Sequence, residues 1–279
     1  MADYGTYCTP TQFKTGLGIS GAGDDARFLE LLEEVSRWVD EKCDRHFYVK
    51  TATRDFTAES GNYLEVPDLL SVTSLKTDEN GDRTYETTWA TTDYDLETGE
   101  GRYNEFPYTL IRPTPSGDYV FPTGRRAVQI AGLWGYGTGK TATPYVDAET
   151  NTNEALDLTE TGVDVGDGTK FKVGQTILVE SEQMYVTVIS SNTLTVVRGV
   201  NGTTAATHVT DKDIYIYQYP LQVREATLMQ AARLWARRDS RFATEVGNAE
   251  TGTVTVFRGK DEDIESKLRS FRRLAIGAV

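Results

Sequence analysis

Between Tyr219 and Phe242 the chain reads Tyr-Pro-Leu-Gln-Val-Arg-Glu-Ala-Thr-Leu-Met-Gln-Ala-Ala-Arg-Leu-Trp-Ala-Arg-Arg-Asp-Ser-Arg-Phe, and nothing after Pro220 breaks a helix until Asp239 and Ser240. Pro220 suits a first helical turn, because its fixed φ matches a helix and its missing N–H would be unbonded there. Val223, Ala226, Leu228, Met229, Ala232 and Trp235 recur near every 3.6 residues, so the stretch predicts an amphipathic helix whose stripe must be buried against another helix. Arg224, Arg233, Arg237, Arg238 and Arg241 occupy its other side. Whatever precedes this helix has to supply its partner.

That partner is predicted over Ala26–Phe47, capped by Asp24 or Asp25. Phe28, Leu31, Leu32, Val35, Trp38, Val39 and Cys43 share one face, and Glu30, Glu33, Glu34, Arg37, Asp40, Glu41 and Lys42 cover the other. Ahead of it, Thr9–Gly16 combines a capping Thr, a first-turn Pro and a Gly stop, which reads as a short helix anchored by Leu17 and Ile19. Gly21-Ala-Gly23 forms the joint between them.

From Tyr48 to Tyr136 the period changes to that of short strands: Tyr48–Phe56, Tyr63–Val66, Val72–Thr77, Tyr94–Thr98, Tyr108–Arg112 and Val128–Trp134. Asn80-Gly81, Gly99-Glu-Gly101 and Pro115-Ser-Gly117 supply turns. Gly137–Asn153 reads as a linker. Leu156–Tyr217 is β-like again, with strands around Gly162–Gly166, Phe171–Val173, Gln175–Glu180, Gln183–Ile189, Thr193–Arg198 and Asp213–Tyr217, and a tight turn at Gly199-Val-Asn-Gly202. After Phe242 come a polar stretch, a β-like Val254–Arg258, and a last helix over Asp261–Leu274 with Ile264, Leu268 and Phe271 on one side and Lys267, Arg269, Arg272 and Arg273 at its end.

Together these predict an α+β fold. Residues 1–142 and 218–279 form a small helical bundle, two long helices plus short N-terminal and C-terminal ones, with an antiparallel β-sheet. Residues 154–217 form an inserted all-β sandwich or barrel domain, and 261–279 a C-terminal docking segment.

The formal charge of −13 is uneven: from Pro220 on there are 11 basic and 8 acidic residues, leaving 18 basic against 34 acidic before it. A tight, general nucleic-acid binder needs the opposite sign, because its affinity comes from neutralising phosphates. Solvated acidic loops that keep the protein soluble account for the same charge. No apolar run approaches the length of a membrane span, and Met1–Cys8 lacks the basic and apolar regions of a signal peptide. Cys8 and Cys43 lack metal spacing, which points to two reduced thiols in a cytosolic setting rather than a structural disulfide.

Signals of chemistry are weak. Gly135-Tyr-Gly137-Thr-Gly139-Lys140-Thr141 resembles a phosphate-binding loop, but Trp134 stands where the first Gly belongs and no helix start follows. His46 and His208 have no Cys or second His at ligand spacing, and His46 is expected to end the first long helix. Glu33/Glu34 and Glu180/Glu182 read as carboxylates on a solvated helix face and a strand edge, and Asp164-Val-Gly-Asp167 lacks the rest of a calcium loop. No catalytic, cofactor or metal residue is expected, and no enzymatic activity. The arginines of the two C-terminal helices are either a solvated face that also compensates the helix dipole or a docking surface. With Trp235, Phe242, Phe257 and Phe271 beside them they match the residue types enriched in binding hot spots.

In order and spacing these elements resemble the head-tail connector, or adaptor, proteins of tailed bacteriophages. The resembling stretches are Thr9–Phe47 with Leu17-Gly-Ile19 and Asp44-Arg-His-Phe47, the strand Val128–Tyr136, Tyr219-Pro220 with its Arg-ended helix, and Asp263-Ile264 to Arg273. The resemblance implies a homo-oligomeric ring, usually twelvefold in that family, at the virion neck and assembled in the host cytoplasm. Its partners would be the portal, the next neck or tail protein, and DNA that passes through the lumen without tight binding, with no membrane. Carried over, Phe257, Arg258, Ile264, Leu268, Phe271, Arg272 and Arg273 would face the portal or a neighbouring subunit, together with Arg237, Arg238 and Arg241 of the docking surface. Leu156–Tyr217 departs from the compact family member and looks like small β modules of phage virion proteins. Two other readings stand beside this one: a tail-fibre or host-binding adhesin using residues 156–217, and a nucleotide-dependent packaging factor using Lys140.

Overall fold

The computed structural model describes residues 4–98, 106–115, 117–140, 143–238, 245–248, 253–256 and 261–273. Two antiparallel sheets of six strands each dominate it. The first holds β1 (Lys50–Phe56), β2 (Leu64–Thr77), β3 (Thr87–Trp89), β4 (Tyr94–Glu97), β5 (Tyr108–Pro113) and β6 (Val128–Trp134), in the order β1-β6-β2-β5-β4 with β3 added to β2. Along β6 the buried residues Val128, Ile130, Gly132 and Trp134 alternate with half-buried ones, and they meet Leu64, Val66, Leu69, Leu75, Trp89, Ile111 and Phe121 in one core. Gly132 is obligatory there, because a Cβ would lie 2.2 Å from Ser71 O where β2 shifts register against β6.

The second sheet holds β7 (Tyr145–Asn151), β8 (Gly162–Asp164), β9 (Thr176–Val179), β10 (Glu182–Ser190), β11 (Thr193–Val197) and β12 (Asp213–Tyr217), in the order β7-β12-β9-β10-β11-β8. Its end strands meet: Thr152 bridges Val165, Asn153 N–H donates to Asp164 O at 2.7 Å, and Gly166 N–H donates to Asn151 O at 3.0 Å. The sheet therefore curls into a small barrel around Val163, Phe171, Ile177, Met184, Val186, Leu194 and Ile214.

Among the described residues there are four α-helices, α1 (Pro10–Leu17), α2 (Asp25–Cys43), α3 (Leu221–Arg237) and α4 (Glu262–Arg269). Thr9 and Gln12 cap α1 reciprocally, and Gly18 ends it in the left-handed conformation. Asp44 does the same for α2 at φ 51°, so that helix stops before His46. The stripes expected of the two long segments are buried against each other: Phe28, Leu32, Val35 and Ala231 share one core with Phe13, and Val39, Cys43, Val223 and Ala226 share the next with Tyr7 and Phe47.

The expected fold class needs correction. The protein is mostly β, with two six-stranded sheets, and is not a helical bundle carrying an inserted domain. Helical stripes are conspicuous because they repeat over 17 to 19 residues. The strands are short, and several are polar. Tyr145–Asn151, expected to be linker, is a barrel strand with only Ala148 and Thr150 buried, while Phe171–Val173, expected to be strand, follows a single 3-10 turn. Tyr63–Val66 and Val72–Thr77 join into one long β2 through Pro67.

The barrel is fastened to the rest along a buried seam. Aromatic rings follow one another through Tyr145, Tyr217, Tyr219, Tyr7 and Phe47 to Phe271, with neighbouring centroids 4.7–5.7 Å apart. The arm Tyr4–Thr9 lies in this seam. Tyr7 donates its N–H to Ser36 Oγ and its hydroxyl to Asp40, and Arg37 donates to Gly5 O.

Candidate functional site

Three places concentrate chemistry-bearing side chains. The first is the open end of the α2–α3 pair. Ala26, Arg27, Glu30, Leu31 and Glu34 lie along one face of α2, and with Leu234, Trp235 and Arg238 of α3 they line a cleft of about 610 Å³. Trp235 is the aromatic residue of this lining. Phe28 packs edge-on against its ring at 4.6 Å, and the guanidinium groups of Arg238 and Arg27 stand 3.8 and 5.8 Å from its centroid. A half-buried Trp under two Arg, rimmed by Glu30 and Glu34, offers stacking, apolar contact and charge together.

The second is at the β9–β10 turn of the barrel. The Glu182 carboxylate is fully buried and accepts from Arg198 Nε (2.7 Å) and Nη2 (2.8 Å), and from the N–H groups of Gly199 and Ala206 (3.0 Å each). His208 Nε2 lies 2.9 Å from the same group, and His208 Nδ1 lies 2.8 Å from Glu180, which also pairs with Lys212 at 2.7 Å. Burial alone would raise the Glu182 carboxyl, but Arg198, the Ala206 N–H and His208 more than offset it and hold it below the usual range; Lys212 and His208 do the same for Glu180. The expectation of solvated strand-edge carboxylates fails for Glu182. A glutamate at the head of an apolar strand, with an arginine and a histidine downstream, was the available signal.

The third is the turn after β2, where Asp78, Asp82 and Glu86 bring one carboxylate oxygen each within 4.8 Å of one another. Asp78 is engaged with the Gly81 and Arg83 N–H groups at 2.7 Å each.

The residues expected at a partner interface are divided by the fold. Ile264, Leu268 and Phe271 point inward, 1, 1 and 7 % exposed, into the core shared by α2 and α3. An eight-residue helix is not stable alone in water, so α4 exists by virtue of this groove. Arg273 is tied back as well, its N–H to Cys43 O at 2.9 Å and its guanidinium to Val66 O at 3.2 Å. Arg272 is exposed and pairs with Glu265, Arg237 is half-buried, and Arg238 belongs to the Trp235 cleft. Arg241, Phe257 and Arg258 lie outside the described residues.

The glycine loop at 135–140 follows β6, and the next element among the described residues is β7 rather than a helix, so the loop does not lead into a helix N-terminus there. His46 stacks on Tyr48 and contacts its carbonyl at 2.9 Å. Burial pushes the Cys8 thiol up to about 12 and the Cys43 thiol up to about 11, which makes both inert at neutral pH. Among the described residues no helix is long and apolar enough to cross a membrane. No protein-family model matches the chain, and no curated protein matches it.

Proposed function

We propose that this chain is a structural subunit of a tailed-phage neck, a head-tail adaptor that joins further copies in a ring between portal and tail and lets DNA pass. The observation that carries the reading is the cleft at the open end of α2 and α3, where Trp235, Arg27 and Arg238 are presented beside Glu30 and Glu34. Trp and Arg are the side chains most often found as binding anchors, and here rigid helices hold them in place. The acidic balance of residues 1–219 supports a conduit that does not retain DNA, since a lumen of that sign has little phosphate affinity. Because Ile264, Leu268 and Phe271 are engaged internally, the contact with portal or neighbour falls to the cleft and to exposed residues such as Arg272.

The test is electron microscopy of the purified protein mixed with its portal. Closed rings capping the portal are expected for the wild type and should be lost for Trp235→Ala, with the circular dichroism spectrum unchanged. A protein that neither closes nor attaches overturns the proposal, as does a Trp235→Ala variant that attaches normally.

A further inference from the structure

The outer edge of β1 is covered over only part of its length. At the tip of the loop between β11 and β12, Asn201 O accepts the Thr51 N–H at 2.9 Å, and Gly202 sits at φ 82° where a Cβ would lie 2.0 Å from Thr51 O. β1 pairs with β6 in unbroken register from Lys50 to Phe56, so backbone groups two residues apart face the same way. The N–H and C=O of Thr53 and Asp55 therefore point away from β6, as those of Thr51 do, and no described residue pairs with them. Thr53 is exposed, and the Asp55 side chain leans toward β6, to Gln129 at 3.2 Å, rather than across the edge.

A strand pair with the opposite need lies elsewhere in the chain. β13 (Glu245–Asn248) and β14 (Thr253–Val256) pair antiparallel, from Glu245 with Val256 to Asn248 with Thr253, and join neither six-stranded sheet. Two strands alone are marginally stable in water, and a third strand is what such a pair lacks. In sequence β14 is Thr-Val-Thr-Val, β-branched throughout and uncharged, and its four residues match the uncovered stretch Thr53–Phe56.

The two features belong to opposite ends of the helix pair. α3 runs antiparallel to α2, with Trp235 against Phe28 and Val223 in one core with Val39 and Cys43. β1 begins just after Phe47 and Tyr48, at the Cys43 end. β13 and β14 are rooted at the other: the chain leaves α3 at Arg238, which lines the cleft with Arg27, and re-enters at Asp261, which pairs with Arg233 at 3.0 Å. The 17 residues of α3, about 25 Å of helix, separate these ends.

We propose that β14 of one copy adds to the Thr53–Phe56 edge of β1 in the next copy and continues the first sheet across the subunit boundary. This contact presupposes the ring proposed above and supplies its subunit boundary. A donor strand at one end and an acceptor edge at the other make a heterologous, head-to-tail contact, the kind that generates rings when the rotation closes. The Asn201–Gly202 tip sets the limit of the added strand, which cannot pass Thr51.

Hydrogen exchange of the ring assembled on portal, compared with the free full chain at the same pH, tests this. The Thr53 and Asp55 amides should gain about tenfold or more in protection on assembly, and the Thr51 amide, already bonded, should change little. Thr53→Pro removes one outward N–H and leaves the β1–β6 ladder bonds intact, since proline is tolerated on an edge strand. It should keep the wild-type circular dichroism spectrum and lose ring closure, and replacing residues 245–256 by a Gly-Ser linker should do the same from the donor side. Wild-type rings whose Thr53 and Asp55 amides exchange as in the free chain overturn the proposal and leave the ring itself standing. Protection that survives the linker replacement assigns the edge to a strand of the portal and overturns it too. A wild-type protein that never closes on portal removes the ring and this contact together. The wild-type exchange comparison is decisive even if Thr53→Pro does not fold.

Discussion

The two six-stranded sheets meet the same hazard, an unpaired strand edge, in different ways. The first is open, and its edge strand β1 is covered by something foreign to it: the Asn201–Gly202 tip takes the Thr51 N–H, and Gln183 Nε2 takes the Val49 carbonyl at 3.0 Å. The second joins β7 to β8 and has no such need. Their interiors differ correspondingly. The first core is almost wholly apolar, with Trp134 fully buried and its indole N–H on Ala52 O at 2.8 Å. The barrel encloses an apolar core but spends a buried carboxylate, an arginine and a histidine on the loop that reaches across. A core held mainly by apolar area tolerates small changes gradually, whereas a loop anchored by buried charge fails when a single partner is lost.

The largest effect is expected from the first sheet. Trp134→Ala should cost about 3–5 kcal/mol, through lost burial and the cavity left behind. Urea unfolding followed by amide protection should then show the β2–β6 pairing lost at lower denaturant than the β9–β10 pairing. Simultaneous loss would mean that the seam makes one cooperative unit of both sheets, and the contrast between them would disappear.

In the barrel the comparable change is Glu182→Gln, which keeps the shape but leaves Arg198 and His208 buried without their anion. About 3 kcal/mol is expected, at the lower end for breaking a buried pair because the amide oxygen still accepts. This contribution has a pH sign. The folded carboxyls of Glu180 and Glu182 lie below the ordinary 4.5, so their stabilisation is complete above that value and is lost as the pH falls through the depressed folded values. Acid denaturation of the wild type should therefore steepen below about pH 4.5, and Glu182→Gln should flatten that limb. An acid limb that is identical in the two proteins would remove Glu182 from the account.

How much of this was legible in the sequence follows from the range of each signal. α1, the α2–α3 pair and β6 were readable because caps, a 3.6-residue stripe and strict alternation are local. β3 is three residues long and β7 is polar, so neither carries a pattern. Pro67 and Asp68 concealed the continuity of β2. Of the candidate sites, Trp235 and Arg238 were visible as an aromatic and a cation near a helix end, but the residues that complete the cleft come from α2, some 200 positions earlier. Arg198 and His208 are 16 and 26 residues from their partner Glu182, and no local rule joins them. The aromatic arm Tyr4–Thr9 has no periodicity at all, although it lies at the centre of the seam. The α4 stripe was read correctly as apolar, yet a stripe does not say whether its groove belongs to the same chain or another.

The smallest effects should come from ion pairs on the outer surfaces, and they sharpen the contrast from the other side. Arg126 and Asp55 meet at 2.7 Å on the first sheet, and Lys170 and Glu149 at 2.8 Å on the barrel. Both are exposed enough that solvent screens them, so little stability rests on either. They are not equivalent, however. Asp55 also accepts from Gln129 at 3.2 Å and lies on β1 opposite that residue, so its geometry is held by a strand ladder. The carboxylate of Glu149, which lies at φ 55° in β7, meets only the lysine among the described residues. Asp55→Asn should therefore shift the urea midpoint measurably and Glu149→Gln should not, and the Asp55 effect should shrink in about 0.5 M salt, where screening reaches a few ångströms. If Glu149→Gln destabilises as much as Asp55→Asn, the barrel draws stability from its surface charges as well as its buried ones, and the division between an apolar sheet and a charge-closed barrel has to be redrawn around total charge rather than burial.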